Sequence, residues 1–308
     1  MDSILALPQR TLAFADRTGK LDMLPLAPAS YEMPRMSPDG KQIALTTSDG
    51  RDRQISVYEL SSGTTLRRLT FGRENSYPVW SPDGRNIFFR SSRDGNSGIF
   101  RQLADGTGSA ERLIIAEGNG NLDPTSVDPS GKTLAFEAYR RGDFDILMLP
   151  LEGDRKPYPF VELPGSFQGG AVFSPDGQWV AYVSAELNRQ PEIFVQPYPG
   201  TGAKYQITTD GGEVPIWSPD GKQLYYYLGA KLFAVDIRTQ PTFSFGKPSP
   251  LPISGAAQPP GTPRNYDITP DGKRFLVVLP ANGSSRSNLQ INVVLNWFRE
   301  LQQRVPVK

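Results

Sequence analysis

Short runs rich in β-branched and aromatic residues recur along the chain at a steady interval, each preceded by one apolar residue and a polar phrase. The apolar residues are Met36, Trp80, Val127, Phe173, Trp217 and Ile268, and the runs cover 42–46, 86–90, 133–137, 179–183, 223–227 and 274–278. Such composition predicts strands. Third runs follow at 55–58, 99–101, 146–149, 193–195 and 232–235, and fourth runs at 65–69, 111–115, 158–162, 205–208 and, more weakly, 247–251.

The phrase between the apolar residue and the run is Ser37-Pro38-Asp39-Gly40, Ser81-Pro82-Asp83-Gly84, Asp128-Pro129-Ser130-Gly131, Ser174-Pro175-Asp176-Gly177, Ser218-Pro219-Asp220-Gly221 or Thr269-Pro270-Asp271-Gly272. Each reads as a tight turn: proline presets φ, the carboxylate or hydroxyl bonds the local backbone, and glycine accepts positive φ. Their first residues lie 44, 47, 46, 44 and 51 apart, a period that holds one four-stranded unit. The prediction is an all-β, six-bladed β-propeller of four-stranded blades, whose radial repetition leaves only short sheet edges.

The last repeat supplies only three obvious strands, the third at 291–295, while 11–15 and 21–24 resemble the third and fourth strands of a blade that has no turn before it. The N-terminal strands are therefore expected to close the ring. This gives a single propeller domain over 1–308, with closing strands in 1–27, repeats in 28–290, and a closing strand and short tail in 291–308. A seven-bladed ring with an incomplete extra N-terminal blade is the alternative.

Composition removes several chemistries. Neither cysteine nor histidine is present, which excludes disulfides, Cys/His zinc sites, thiol nucleophiles and imidazole bases. Lys+Arg is 33 against Asp+Glu 32, so net charge gives no reason to expect nucleic acid or an anionic membrane surface. No run approaches the roughly 18 apolar residues of a membrane span, and residues 1–8 carry no basic leader.

The turns, together with a preceding Pro-x-Trp (Pro78-Val79-Trp80, Pro215-Ile216-Trp217) and with Arg93-Asp94-Gly95 before Ile99-Phe100, resemble the WD-like propeller repeats of the TolB family. The likeness covers about residues 30–280 and implies the fold. The borders are similar to those of the propeller C-terminal to bacterial serine/threonine kinase domains, on residues 10–19 and 291–301. That second resemblance implies a sensor or interaction module, with a kinase domain in a longer parent protein. The two likenesses together imply a periplasmic or extracytoplasmic place; with no export signal visible, cytoplasmic residence is the alternative. The kinase catalytic loop, which needs histidine, is absent here.

In such a fold the loops entering each first strand share a face with those joining second and third strands, and ligands meet that face. Arginines recur in those loops, and the candidate ligand-binding residues are Arg53, Arg73, Arg93, Arg140, Arg189 and Arg264, with Tyr31 and Tyr77 beside them. A ring of guanidinium groups can hold a carboxylate, phosphate or acidic peptide, so the expected partner is a protein, a peptide or a small anionic ligand. The competing reading is local salt bridges for the arginines, since Asp or Glu stands beside most of them, and packing between blades for the tyrosines. No cofactor and no metal is expected: residues 117–123 alternate oxygen-bearing side chains as a calcium loop would, but read as a Gly/Asn turn. No Gly-x-Ser-x-Gly elbow exists, so the expectation is a non-catalytic binding module. A hydrolase or lyase using paired carboxylates, Glu74 with Glu186 or Asp143, is the alternative.

Overall fold

The computed structural model describes residues 7–140, 142–186, 190–200, 202–256, 258–259 and 261–281. Strands β1 (Arg10–Asp16) and β2 (Leu21–Met23) are followed by β3 (Ser30–Met36), β4 (Gln42–Ser48), β5 (Arg53–Glu59) and β6 (Leu66–Arg68). Next come β7 (Asn75–Trp80), β8 (Asn86–Ser91), β9 (Gly98–Leu103) and β10 (Glu111–Ile115). The third repeat holds β11 (Asn121–Val127), β12 (Thr133–Arg140), β13 (Asp143–Pro150) and β14 (Tyr158–Val161); the fourth holds β15 (Phe167–Phe173), β16 (Trp179–Ala185), β17 (Glu192–Pro197) and β18 (Tyr205–Gln206). Then follow β19 (Glu213–Trp217), β20 (Gln223–Leu228), β21 (Lys231–Arg238), β22 (Ser244–Phe245), β23 (Ser249–Pro250), β24 (Tyr266–Ile268) and β25 (Arg274–Pro280).

The fold is all-β and propeller-like, with no α-helix among the described residues. β3 to β6 form one antiparallel sheet in chain order, and β7 to β10 another. β11–β14 and β15–β18 are two runs of four joined by one parallel bridge, Phe144 to Phe167. Of the fourth-strand run expected at 247–251 only β23 is a strand; Pro248, Pro250 and Pro252 offer no N–H, and β23 bonds β21 over two residues only, as does β22 before it. The N-terminal run at 11–15 lies within β1, which pairs with β25 over seven residues from Arg10↔Pro280 to Asp16↔Arg274, with β2 outside it. The strand expected at 291–295 lies outside the described residues.

Each second strand buries both of its faces, which is why its sequence is nearly continuously apolar. Side chains alternate, so Ile43 and Leu45 pack with Leu12, Phe14 and Leu276, while Ala44 packs with Trp80, Ile87 and Phe89 on the other side. The same division separates Leu134 and Phe136 from Ala135, and Tyr225 and Tyr227 from Leu224 and Tyr226. The core is thus a series of apolar layers between successive sheets.

The turns form a second set of contacts. In Ser37-Pro38-Asp39-Gly40 the Ser37 hydroxyl donates to Asp39 Oδ1 at 2.6 Å and accepts from the Gln42 N–H at 2.8 Å. The glycines at its last position and those of the other five turns hold φ of 69–74°, the left-handed region where a side chain is strained. A Cβ on Gly177 would lie 3.2 Å from Pro129 Cδ of the preceding turn, and one on Gly40 would lie 3.4 Å from Pro270 of the last turn. Glycine lets each turn close on its neighbour.

Candidate binding cavity

Strands β3, β7, β11, β15 and β19 lie each beside the next, and β24 lies beside β3. Each of the first five breaks register with its partner by a bulge, at 32–35, 76–79, 124–126, 169–172 and 213–216. Met33, Tyr77, Gly170 and Val214 hold φ of 53°, 59°, 64° and 50° at those bulges. Pro34, Pro78 and Pro215 come next in three of them, where the interrupted ladder needs no N–H. The three non-glycine residues store backbone strain of roughly 1–2 kcal/mol each, and Tyr77 and Val214 turn it to account by lining a cavity of about 470 Å³.

Residues from all six of these strands or their entry loops line that cavity, among them Arg35, Tyr77, Asp123, Gly170, Val214 and Arg264. One wall is acidic. Asp123 and Glu137 are directly opposed across β11 and β12, a like-charge pair that resists double ionisation. Arg90 donates to Asp123 Oδ1 at 2.7 Å, and its guanidinium lies 4.7 Å from the centre of the Tyr77 ring. Burial pushes the Asp123 carboxyl up against the pull of Arg90. Burial, reinforced by Asp123, raises the Tyr77 phenol, which stays protonated.

Glu137 is part-exposed and lines the cavity. Burial in protein and then the nearby Asp123 push its carboxyl up to about 7, although the Gly170 N–H donates to Oε1 at 2.6 Å. Gly169 makes room for it: a Cβ there would sit 2.9 Å from the Glu137 carboxyl carbon and 2.8 Å from the Phe167 ring.

The opposite chemistry stands at β3 and β24. Arg35 is 9% exposed and donates to the Pro34 and Arg264 carbonyl oxygens at 2.8 and 3.0 Å. Burial, then the charge of Arg264, lowers its guanidinium to about 9. Arg264 Nη2 lies 3.8 Å from Asp267 Oδ1, while Asp267 Oδ2 accepts the Met36 N–H at 2.8 Å.

Of the sequence-derived candidates, Tyr77 and Arg264 line this cavity. Arg53 stands 3.9 Å from Glu32 and 4.0 Å from Glu74, and Arg73 is exposed on the loop into β7. Arg93 is packed under Phe89 and Phe100, at 5.4 and 4.9 Å from the ring centres, and donates to Asn75 Oδ1 at 3.1 Å. Arg140 pairs with Asp145 at 3.2 Å and Glu162 at 3.3 Å. Tyr31 is buried, its hydroxyl donating to the Ala27 carbonyl at 2.7 Å. Arg189 lies outside the described residues. Of the carboxylates considered for catalysis, Glu186 is bonded by Lys204 and Asp143 Oδ2 accepts the Gly165 N–H at 3.1 Å. Arg35, Arg90 and Glu137, which are not among the sequence-derived candidates, sit within strands, and so does Asp123, which the sequence places in a Gly/Asn turn; their signal is a charge inside an otherwise buried run.

Comparison with known proteins places this geometry in context. Residues 17–158 match the family described as the TolB beta propeller domain. An uncharacterized protein of Agrobacterium fabrum is 34% identical over 160 residues, 48% of this chain and 52% of that protein. The Tol-Pal system protein TolB of Francisella tularensis is 26% identical over 209 residues, 66% of this chain and 47% of that protein. The chain spans about half the length of the curated relatives it matches. A solved structure of a candidate TolB from Agrobacterium tumefaciens superposes with a TM-score of 0.68 at 18% identity, over 89% of this chain and 99% of that one. The fold is shared with an oligogalacturonate lyase from Vibrio parahaemolyticus as well, at TM-score 0.56 and 12% identity over 87% and 78% of the two chains. Fold alone therefore does not decide between binding and catalysis.

Proposed function

From a chain homologous to TolB-like propeller proteins, we propose a non-catalytic module that binds a protein or peptide at the loop-bearing mouth of its central channel. The observation that carries this reading is the cavity lined by residues from every inner strand or its entry loop, including loop residues 261–264 and Phe167 and Ala185 at the ends of β15 and β16. We read the chain as one six-bladed domain, counting the path from β11 to β18 as two blades and letting β1 and β2 complete the last. Support comes from the β1–β25 pairing and from the contacts that run from turn to turn and back from Pro270 to Gly40. Rigid display is the mechanism: loops already fixed by the blades lose little freedom when a partner docks. Arg53, Arg73, Tyr77 and Arg264 are the proposed contacts, and an extracytoplasmic place accords with the TolB likeness. A sensor role, with a kinase domain elsewhere in a longer protein, rests on the border resemblance alone, and the matches reported above lend it no support.

A second reading, a propeller hydrolase or lyase, draws on the Asp123–Glu137 pair, whose opposed carboxyls are the kind of site that splits acid from base. Both groups are already engaged, Asp123 by Arg90 and Glu137 by the Gly170 N–H, which favours the structural role. The binding reading is tested by capturing a partner on the immobilised protein and titrating it against Arg53→Glu/Arg73→Glu. The expected result is at least tenfold weaker binding, and an unchanged affinity overturns the mouth assignment.

A further inference from the structure

Arg35, which is buried, and Arg264, which is part-exposed, line one cavity. Arg35 and Arg264 repel each other, and the carboxylate paired with Arg264 is Asp267, at 3.8 Å. That same carboxylate also takes the Met36 N–H. The Nε–H of Arg35 and the Nε–H of Arg264 are both buried and have no acceptor among the described residues. An unmet donor on a buried cation costs more than one on a neutral group, and a carboxylate held in the cavity would offset the charge of both guanidinium groups.

The rest of the cavity defines what carries that carboxylate. Phe144, Phe167, Val172, Val183 and Val214 give it apolar walls, and its volume of about 470 Å³ falls in the range of small-molecule sites. Asp123, Glu137 and Glu213 also line it, and they disfavour a second negative charge. We propose that Arg35 and Arg264 form the receptor for the carboxylate of a small monoanionic acid whose apolar body lies against Phe144, Phe167 and Val214. The acid is either free or the C-terminus of a short peptide. This rests on reading the cavity as a binding site, but the outer-loop arginines take no part in it.

The test is calorimetric titration of the whole chain with 3-phenylpropionate and with its neutral amide, alongside an Ala-Ala-Ala-Phe tetrapeptide with a free or an amidated C-terminus. The expected result is that a free carboxylate binds at least about tenfold more tightly than its amide, and that Arg264→Gln removes the difference. Response to the tetrapeptide alone identifies a chain terminus as the natural source; response to 3-phenylpropionate identifies a free acid. Arg264→Lys, which keeps the charge and loses the planar fork, should fall between wild type and Arg264→Gln, with thermal melting as the folding control. Equal binding of acid and amide, unchanged affinity in both variants, or no binding of any probe at millimolar concentration overturns the proposal. Partner capture without preference for the free carboxylate overturns this proposal alone, and carboxylate binding without partner capture overturns the mouth reading alone, so the two failures are told apart.

Discussion

Glu137 faces Asp123 across β11 and β12, and its carboxyl is held up at about 7 by burial and by that neighbour. The protonated form is the one the fold accommodates. As pH rises from the ordinary carboxyl range near 4.5 through 7, the folded state must ionise a group that the unfolded state ionises more easily. Stability therefore falls across that window and levels off above it, by an amount on the order of 2–3 kcal/mol. Glu137→Gln should flatten the profile, which urea unfolding at pH 5 and pH 8 will measure. The turn aspartates work in the opposite sense: the Ser37, Ser81, Ser218 and Thr269 hydroxyls, with backbone N–H groups, hold Asp39, Asp83, Asp220 and Asp271 below the usual carboxylate range. Their contribution is present above that range and is lost as pH falls through the depressed values. At the last turn position, Gly177→Ala should cost about 1–2 kcal/mol, because it forces a side chain to a φ of 70° and 3.2 Å from Pro129. Thermal unfolding reads that loss.

Successive sheets are tied by polar bonds that cross the apolar layers. The Trp80 indole N–H donates to the Arg35 carbonyl at 3.0 Å, and that of Trp217 to the Val172 carbonyl at 3.2 Å. Both indoles come from the residue before a Ser-Pro-Asp-Gly turn. Trp80→Phe leaves a buried carbonyl without its donor as well as a smaller ring, so a loss of about 1–3 kcal/mol is expected in denaturant unfolding. A change under 0.5 kcal/mol would show that the sheets are held by apolar packing alone. At this scale the sequence was highly legible, since turn chemistry and alternation mark the second and third strands of each repeat. The bulges were less so: Pro34, Pro78 and Pro215 hint at them, but the left-handed residue before each proline follows from neighbouring inner strands crowding together. Arg35 and Glu137 carry no sequence signal of a site for a related reason. A charged residue inside a strand looks like an ordinary outward position until the partner sheet shows that both faces are covered. Loop arginines recur in the sequence, yet Arg93 and Arg140 are already occupied by Phe100 and Asp145.

For the whole molecule, the account depends on the two ends of the described chain meeting in one sheet. Leu12 is fully buried with Leu276, Tyr31 and Tyr58, so it belongs to a layer as much as Leu134 does in mid-chain. Leu12→Ala and Leu134→Ala should then destabilise by comparable amounts, about 2–5 kcal/mol. A loss under 1 kcal/mol at Leu12 would mean that β1 is an appendage. The most direct measurement concerns function: amide hydrogen exchange of the whole chain, alone and saturated with its captured partner. The account predicts slower exchange in the mouth segments 71–77, 165–170 and 261–266, with the Ser-Pro-Asp-Gly turns unchanged. Protection confined to those turns, with the mouth segments exchanging as in the free protein, would contradict it.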